Sequence, residues 1–349
     1  MEFHAIGLMS GTSLDGLDLC YSRFSENAGK WNFKILKSET IPYPEIWENK
    51  LRNAFYLSSP ELLALNSEYG FYLGQKAEEF IKKNKIEKLD VISSHGHTVF
   101  HQPEKKFTLQ IGDGRAIKLV TGIPVVYDFR TQDVLLGGNG APLVPIGDEL
   151  LFSEFDACLN LGGFSNISFR KKEKRIAFDI CPVNIILNDY AQKLGKKYDE
   201  NGDFARNGNT DTTLLQLLNQ LKFYQQESPK SLGTEWLNEN VSPLLSGKNP
   251  ETVLATFTQH IAIQISEVFK KNHLKKILVT GGGSYNSYLI ELLKKNSDSE
   301  IILPEKDSIE FKEALIFGFM GILRIQNKIN VLASATGSYE DHSSGIVVL

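Results

Sequence analysis

Cysteine is scarce. The 349-residue chain has three, Cys20, Cys158 and Cys181, far apart and without the short paired spacing of a structural zinc site or a disulfide framework. A reducing cytoplasm fits that absence. No run approaches the roughly 20 apolar residues of a membrane span. The segment Met1–Gly7 lacks the basic stretch, apolar core and cleavage site of a secretory leader, so a cytoplasmic location is expected. Excess positive charge is missing too. The 38 Lys plus Arg against 42 Asp plus Glu leave a net charge of -4, which gives no general hold on a phosphate backbone or an anionic membrane. Neither nucleic acid nor a membrane is an expected partner.

What is present is ordinary globular composition, 42% hydrophobic and 23% charged, in a chain too long for one core. Two lobes are expected. Strand-like and helix-like segments alternate, and strands tend to end in glycine turns, which points to α/β layers. Glu2–Met9 and Leu17–Ser25 read as two strands joined by a polar tip. Leu62–Lys83 reads as a helix, Leu89–Ser94 as a buried strand leading into a polar loop from His95 to His101, and Pro124–Tyr127 as another strand, after which the chain is expected to cross into the second lobe. Ala157–Leu161, the turn Gly162–Gly163 and Ser165–Arg170 repeat the plan of the N-terminus. Lys276–Thr280 with Gly281, Gly282 and Gly283 forms a strand and glycine turn before a helix. The last long helix, Phe311–Ile325, carries Ala314, Gly318 and Gly321, small residues that let another backbone approach closely, and is expected to pack where the lobes meet. The expected lobes are 1–127 plus 313–349, and 128–312.

Four glycine turns stand at strand ends: Gly11–Gly16, Gly137–Gly140, Gly162–Asn166 and Gly281–Asn286. Each is expected to present backbone N–H groups to anionic oxygens. None has the Walker lysine, and none is the glycine pattern of a dinucleotide fold. In the first turn Thr12 and Ser13 offer hydroxyls to phosphate, and Asp15 and Asp18 offer carboxylates to Mg²⁺ or its waters; Asp15-Gly16 alone would equally suit a plain tight turn. Asp179, just past an apolar strand, suits a general base or a helix N-cap. Arg130 suits an ion pair with Asp128 or a bidentate grip on a substrate carboxylate. His95, His97 and His101 have a superficial metal spacing, but Gly96 and Pro103 favour a polar loop that hydrogen-bonds a hydroxylated ligand. Cys181 beside Asp179 has no histidine near it in sequence to activate it.

Taken together, Gly7-Leu-Met-Ser-Gly-Thr-Ser-Leu-Asp-Gly-Leu-Asp18, Ser94-His-Gly-His-Thr98, Leu109-Gln-Ile-Gly-Asp-Gly114, Asp128-Phe-Arg130, Gly137-Gly-Asn-Gly-Ala-Pro142, Asn160-Leu-Gly-Gly-Phe-Ser-Asn166 and Gly281-Gly-Gly283 resemble the anhydro-N-acetylmuramic acid kinase family. The resemblance spans nearly the whole chain, in order. It implies the sugar kinase, Hsp70 and actin fold: two RNase H-like lobes, each a mixed sheet flanked by helices, with ATP in the cleft between them.

The resemblance also implies roles. Gly11, Thr12, Ser13, Leu14, Asp15, Gly16, Leu17 and Asp18 correspond to the ATP phosphate loop, with Asp15 and Asp18 toward Mg²⁺. Gly162, Gly163 and Asn166 correspond to a second phosphate contact, and Gly281, Gly282 and Gly283 to the adenosine side. Asp179 matches the catalytic aspartate. Glu313, Thr98 and Arg130 correspond to sugar contacts. The implied partners are ATP and an amino sugar, and the assembly the resemblance implies is a homodimer. The implied reaction opens a 1,6-anhydro sugar with water and phosphorylates it, giving N-acetylmuramate 6-phosphate and ADP in cell-wall recycling. A kinase of another sugar, or a nucleotide-binding regulatory module without turnover, are the alternatives. After Asp179 the family reads Thr-Gly-Pro-Gly-Asn and this chain Ile180-Cys-Pro-Val-Asn184. If that turn touches phosphate or sugar, Ile180 and Val183 are expected to narrow the pocket. His97 stands where the family commonly has Gln.

Overall fold

The computed structural model describes residues 1–11 and 14–349. It divides into two compact units, Met1–Leu151 with Phe311–Leu349, and Phe152–Glu310.

The strands are β1 (Glu2–Ser10), β2 (Leu17–Asn27), β3 (Lys30–Ile41), β4 (Val91–Ser94), β5 (His97–Gln102), β6 (Phe107–Ile111), β7 (Val125–Tyr127), β8 (Ala157–Leu161), β9 (Phe164–Lys171), β10 (Lys174–Pro182), β11 (Lys276–Thr280), β12 (Glu300–Ile302) and β13 (Ile346–Val348). The sheet of the first unit runs β13-β7-β4-β1-β2-β3 and that of the second β10-β9-β8-β11-β12. In each, a three-stranded antiparallel meander lies beside two parallel strands: β1 pairs antiparallel with β2 and parallel with β4, and β8 pairs antiparallel with β9 and parallel with β11. This repeated mixed plan is the RNase H-like fold of the sugar kinase and actin class.

In the first unit the helix Ser59–Asn84 buries Leu62, Leu65, Tyr69, Leu73, Ala77 and Phe80, a helical spacing that covers one face of the sheet. It begins with a capping pair, the Ser58 N–H donating to Glu61 Oε2 at 2.9 Å. The helix Lys312–Ile325 covers β1 and β4, and its small residues act as expected. A Cβ on Gly7 would stand 1.7 Å from the Ala314 carbonyl oxygen, and one on Gly321 would stand 2.7 Å from Ser93 Cβ. The surface it approaches is the sheet of its own unit. In the second unit the helix Pro250–Lys271 presents Phe257, Ile261, Ala262, Ile265 and Phe269 to the core formed with β8, β9 and β11.

Two sequence expectations change. The boundaries fall at 151/152 and 310/311 rather than at 127/128 and 312/313. Residues 128–151 are tied into the first unit by Arg130 to His95, by the buried Asp133 to Thr336, and by the 2.7 Å ion pair of Asp148 with Lys312. The segment read as a polar loop from His95 is in large part the strand β5, paired with β6. Its histidines disguised a Thr-Val-Phe core that suits a pleated strand. Among the described residues no helix is long and apolar enough to cross a membrane.

Candidate active site

In the second unit, paired strand positions set Thr280, Asn160, Asn166 and Asp179 in one row across β11, β8, β9 and β10. Directly opposed residues share a face of the sheet, so Asn160, Asn166 and Asp179 stand side by side. A bulge follows: Asp179 pairs with Asn166 and Cys181 with Ser165, leaving Ile180 as the extra residue. Such a bulge bends the strand and re-aims the side chain beside it. Asp179 is half-buried. Burial pushes its carboxyl above the usual range, and the Leu232 N–H, donating to Oδ2 at 2.8 Å, pulls the other way. Asp179 caps no helix: the helix Asn184–Lys193 begins after Val183.

Two glycine turns lie at the ends of the neighbouring parallel strands β8 and β11. The carbonyl of Gly163 accepts from the N–H groups of Val183 (2.8 Å) and Ile185 (3.3 Å), and that of Gly162 from Asn184 (3.2 Å). The hairpin carbonyls are thus spent on the start of the helix. Gly281 has φ +84°, and a Cβ there would lie 2.4 Å from Asn160 Oδ1. One on Gly283 would lie 2.8 Å from Leu161 Cβ, whereas Gly282 is open. The Asn184 amide donates to the Leu161 carbonyl at 3.0 Å. The Asn160 side chain thus lies against both Gly162 and Gly281, and Asn184 is bonded to the end of β8 beside them; the position of Asn160 directly before Leu-Gly-Gly is the sequence signal for it.

The departure after Asp179 points inward. Ile180, Cys181 and Val183 are 2%, 0% and 0% exposed and belong to the core cluster, so they do not narrow a pocket. The Cys181 backbone is pinned by Ser165, whose hydroxyl donates to the Cys181 carbonyl at 3.0 Å, and burial pushes the thiol up to about 12, which removes it as a nucleophile.

In the first unit the phosphate-loop candidates follow β1. Thr12 and Ser13 lie outside the described residues. Gly11 is half-buried and Asp15 exposed. A Cβ on Gly16 would meet the Ile41 carbonyl oxygen at 2.6 Å. Leu14 and Leu17 point into the core, so any ligand contact there is through backbone. Asp18, on β2, accepts from Thr40 Oγ1 at 2.6 Å. Asp15 and Asp18 are hard oxygen donors of the kind Mg²⁺ takes. Ser10 Oγ lies 3.1 Å from His97 Nδ1 and accepts from the Tyr43 hydroxyl at 2.8 Å.

Thr98 accepts from Gln110 Nε2 at 3.3 Å. Glu313, in the first turn of the helix Lys312–Ile325, is solvent-exposed and lies in the field of the Arg130 and Asp18 charges, which act on its carboxyl in opposite directions. Arg130 forms no ion pair with Asp128; it donates to His95 and Gly140. The three histidines bind separate partners, His95 to Arg130, His97 to Ser10 and His101 to Thr108, and no group of three metal-ligating side chains exists among the described residues. The Gly137–Gly140 turn is not an anion cradle. The N–H groups of residues 137–140 donate to the Val134 carbonyl, the Asp133 carbonyl, the Thr336 carbonyl and the Asp133 carboxylate.

The family model described as anhydro-N-acetylmuramic acid kinase matches residues 3–349. Relatives that bear the same name include one from Haemophilus influenzae, 33% identical over 98% of this chain and 97% of its own. One from Mannheimia succiniciproducens is 32% identical over 99% of both chains, and one from Francisella tularensis is 32% identical over 96% of both.

Proposed function

The chain belongs to the anhydro-N-acetylmuramic acid kinase family, and from that premise we propose that it converts 1,6-anhydro-N-acetylmuramate, ATP and water to N-acetylmuramate 6-phosphate and ADP. Membership makes it a phosphotransferase that uses ATP. The anhydro sugar has no hydroxyl at C6, so solvent must open the bridge. Asp179 takes a proton from water, the water oxygen bonds to C1, and the C1–O6 bond breaks. O6 then takes the γ-phosphoryl group and ADP leaves. Glu313, Thr98 and Arg130 bind the sugar. The backbone of the Gly11–Asp18 loop, with Gly162, Gly163 and Asn166, binds phosphate, and Gly281–Gly283 the adenosine side. Asp15 and Asp18 would hold Mg²⁺, which when bound neutralises charge on the phosphates.

The observation that carries this reading is the Asn160–Asn166–Asp179 row, in which a half-buried carboxylate stands beside the glycine hairpin meant for phosphate. The proposed setting is recycling of peptidoglycan fragments in a bacterial cytoplasm, by a homodimer. The test is incubation with ATP, Mg²⁺ and the anhydro sugar in heavy-oxygen water, followed by mass spectrometry. The reading expects a product that gains one phosphoryl group and one water, with the label on the anomeric hydroxyl. Label in inorganic phosphate, or ADP release without that product, overturns it.

A further inference from the structure

Arg130 is held at two points of its guanidinium. Its Nε donates to His95 Nε2 at 2.9 Å, and Nη1 donates to the Gly140 carbonyl at 2.5 Å. The chemistry of both ends fixes the imidazole. His95 Nδ1 lies 2.9 Å from the Gly96 carbonyl, which can only accept, so Nδ1 carries the proton. Guanidinium can only donate, so Nε2 carries the lone pair. The two requirements agree on one neutral tautomer. Burial against Phe317 (ring centroids 4.7 Å apart) and the Arg130 charge hold His95 well below its ordinary pKa, so it stays neutral.

The second support is as rigid. The Gly140 N–H donates to Asp133 Oδ2 at 2.7 Å, and Asp133 Oδ1 accepts from Thr336 Oγ1 at 2.7 Å, with Asp133 wholly buried. The C-terminal segment thus anchors the turn that anchors Arg130. A guanidinium can grip an anion side-on through Nε and Nη2 or end-on through Nη1 and Nη2. His95 occupies Nε and Gly140 takes one of the two N–H groups of Nη1, so a bidentate contact falls to the end-on edge, through the other Nη1 N–H and Nη2.

We propose that His95 is a positioning residue that commits Arg130 to its end-on edge, and that this edge grips the lactyl carboxylate of the sugar. The proposal rests on the substrate named above. Two parallel donors match a carboxylate, and the lactyl group is the one carboxylate the anhydro sugar carries. His95 then acts on specificity without touching substrate.

The test is calorimetric binding of 1,6-anhydro-N-acetylmuramate and its lactyl methyl ester to the intact protein, to Arg130→Lys, to His95→Leu and to His95→Gln. The wild type is expected to prefer the acid by about tenfold or more, as befits a charge-assisted bidentate pair. Both Arg130→Lys and His95→Leu should bring that ratio to within about twofold, with ATP affinity unchanged. His95→Gln, whose amide oxygen can accept from Arg130 Nε, should restore much of it, which a merely structural role would not do. Equal binding of acid and ester by the wild type overturns the proposal. So does a ratio unmoved in His95→Leu, or loss of ATP affinity in its place. A wild type that binds neither compound overturns the substrate reading itself, a distinct result.

Discussion

The backbone N–H of Leu232 donates to Oδ2 of Asp179 at 2.8 Å, and the N–H of Asp179 donates to the Lys230 carbonyl at 3.1 Å. A segment some fifty positions along the chain therefore clamps the bulged end of β10 and ties one carboxylate oxygen. Lys230 anchors that segment by donating to the Phe223 carbonyl at 3.1 Å, with its ammonium over the Phe223 ring. Among the described residues, Oδ1 accepts no hydrogen bond, which makes it the oxygen suited to take a proton.

Leu232→Pro removes that N–H and no side-chain polar group. Burial then raises the Asp179 pKa without opposition. Because the base works deprotonated, the acid limb of the kcat/KM profile should move to higher pH, with the plateau largely kept. Leu232→Ala keeps the donor and should leave the profile in place. Asp179→Asn should lower kcat by roughly 10²–10⁴-fold, the usual worth of a general base, with ATP affinity held. A Leu232→Pro profile that coincides with the wild type would remove the clamp from the mechanism.

Gly281→Ala puts a methyl group 2.4 Å from Asn160 Oδ1 and 2.9 Å from the Leu161 carbonyl oxygen, at a φ of +84°. Neither β8 nor the turn can yield cheaply. A loss of about 1–3 kcal/mol in urea unfolding and a raised KM for ATP are expected. Gly282→Ala, whose nearest neighbour would be 3.8 Å away, is the internal control and should be near neutral.

Much of this was legible in the sequence because it obeys local rules. Glycine turns after apolar runs located both hairpins, and Ala314, Gly318 and Gly321 announced a close helix contact. What escaped is non-local. Asp133 consumes an N–H of the 137–140 turn through a carboxylate that spacing alone cannot aim. Leu232 reaches Asp179 through a loop without any motif. The edge strand β3, Lys30–Ile41, alternates weakly and is heavily charged, as exposed edges are, so periodicity did not single it out. The Ile180–Val183 departure shows the limit in the other direction: a turn beside a functional residue can belong to the core.

Ile180→Ala tests that last point. With the side chain 2% exposed and packed in the core of the second unit, truncation should cost about 2–4 kcal/mol of stability. The KM for the sugar should stay within about twofold of wild type, since the side chain packs into the core. A sharp change in sugar preference with stability intact would return Ile180 to the pocket.

Stability should also fall with acid, and His97 supplies one identifiable share. It is 4% exposed, its Nδ1 lies 3.1 Å from Ser10 Oγ, and burial lowers its pKa to about 4 from an ordinary 6.5. The unfolded chain therefore takes up a proton at a pH where the folded one does not. Above pH 6.5 neither state is protonated and nothing is lost. As pH falls from about 6.5 toward 4, protonation favours the unfolded state, up to roughly 3 kcal/mol at full separation. His260 in the second unit, lowered to about 3 by burial, adds a loss of the same sign. His97→Gln has no proton to gain, so its urea midpoint should decline less steeply between pH 6.5 and 4.5 than that of the wild type. Because Ser10 leads directly into the Gly11 turn, the same variant reports on whether that pairing matters to the nucleotide. A slope equal to wild type would mean that His97 is protonated as readily in the folded protein as in the unfolded chain, and would detach it from the acid sensitivity.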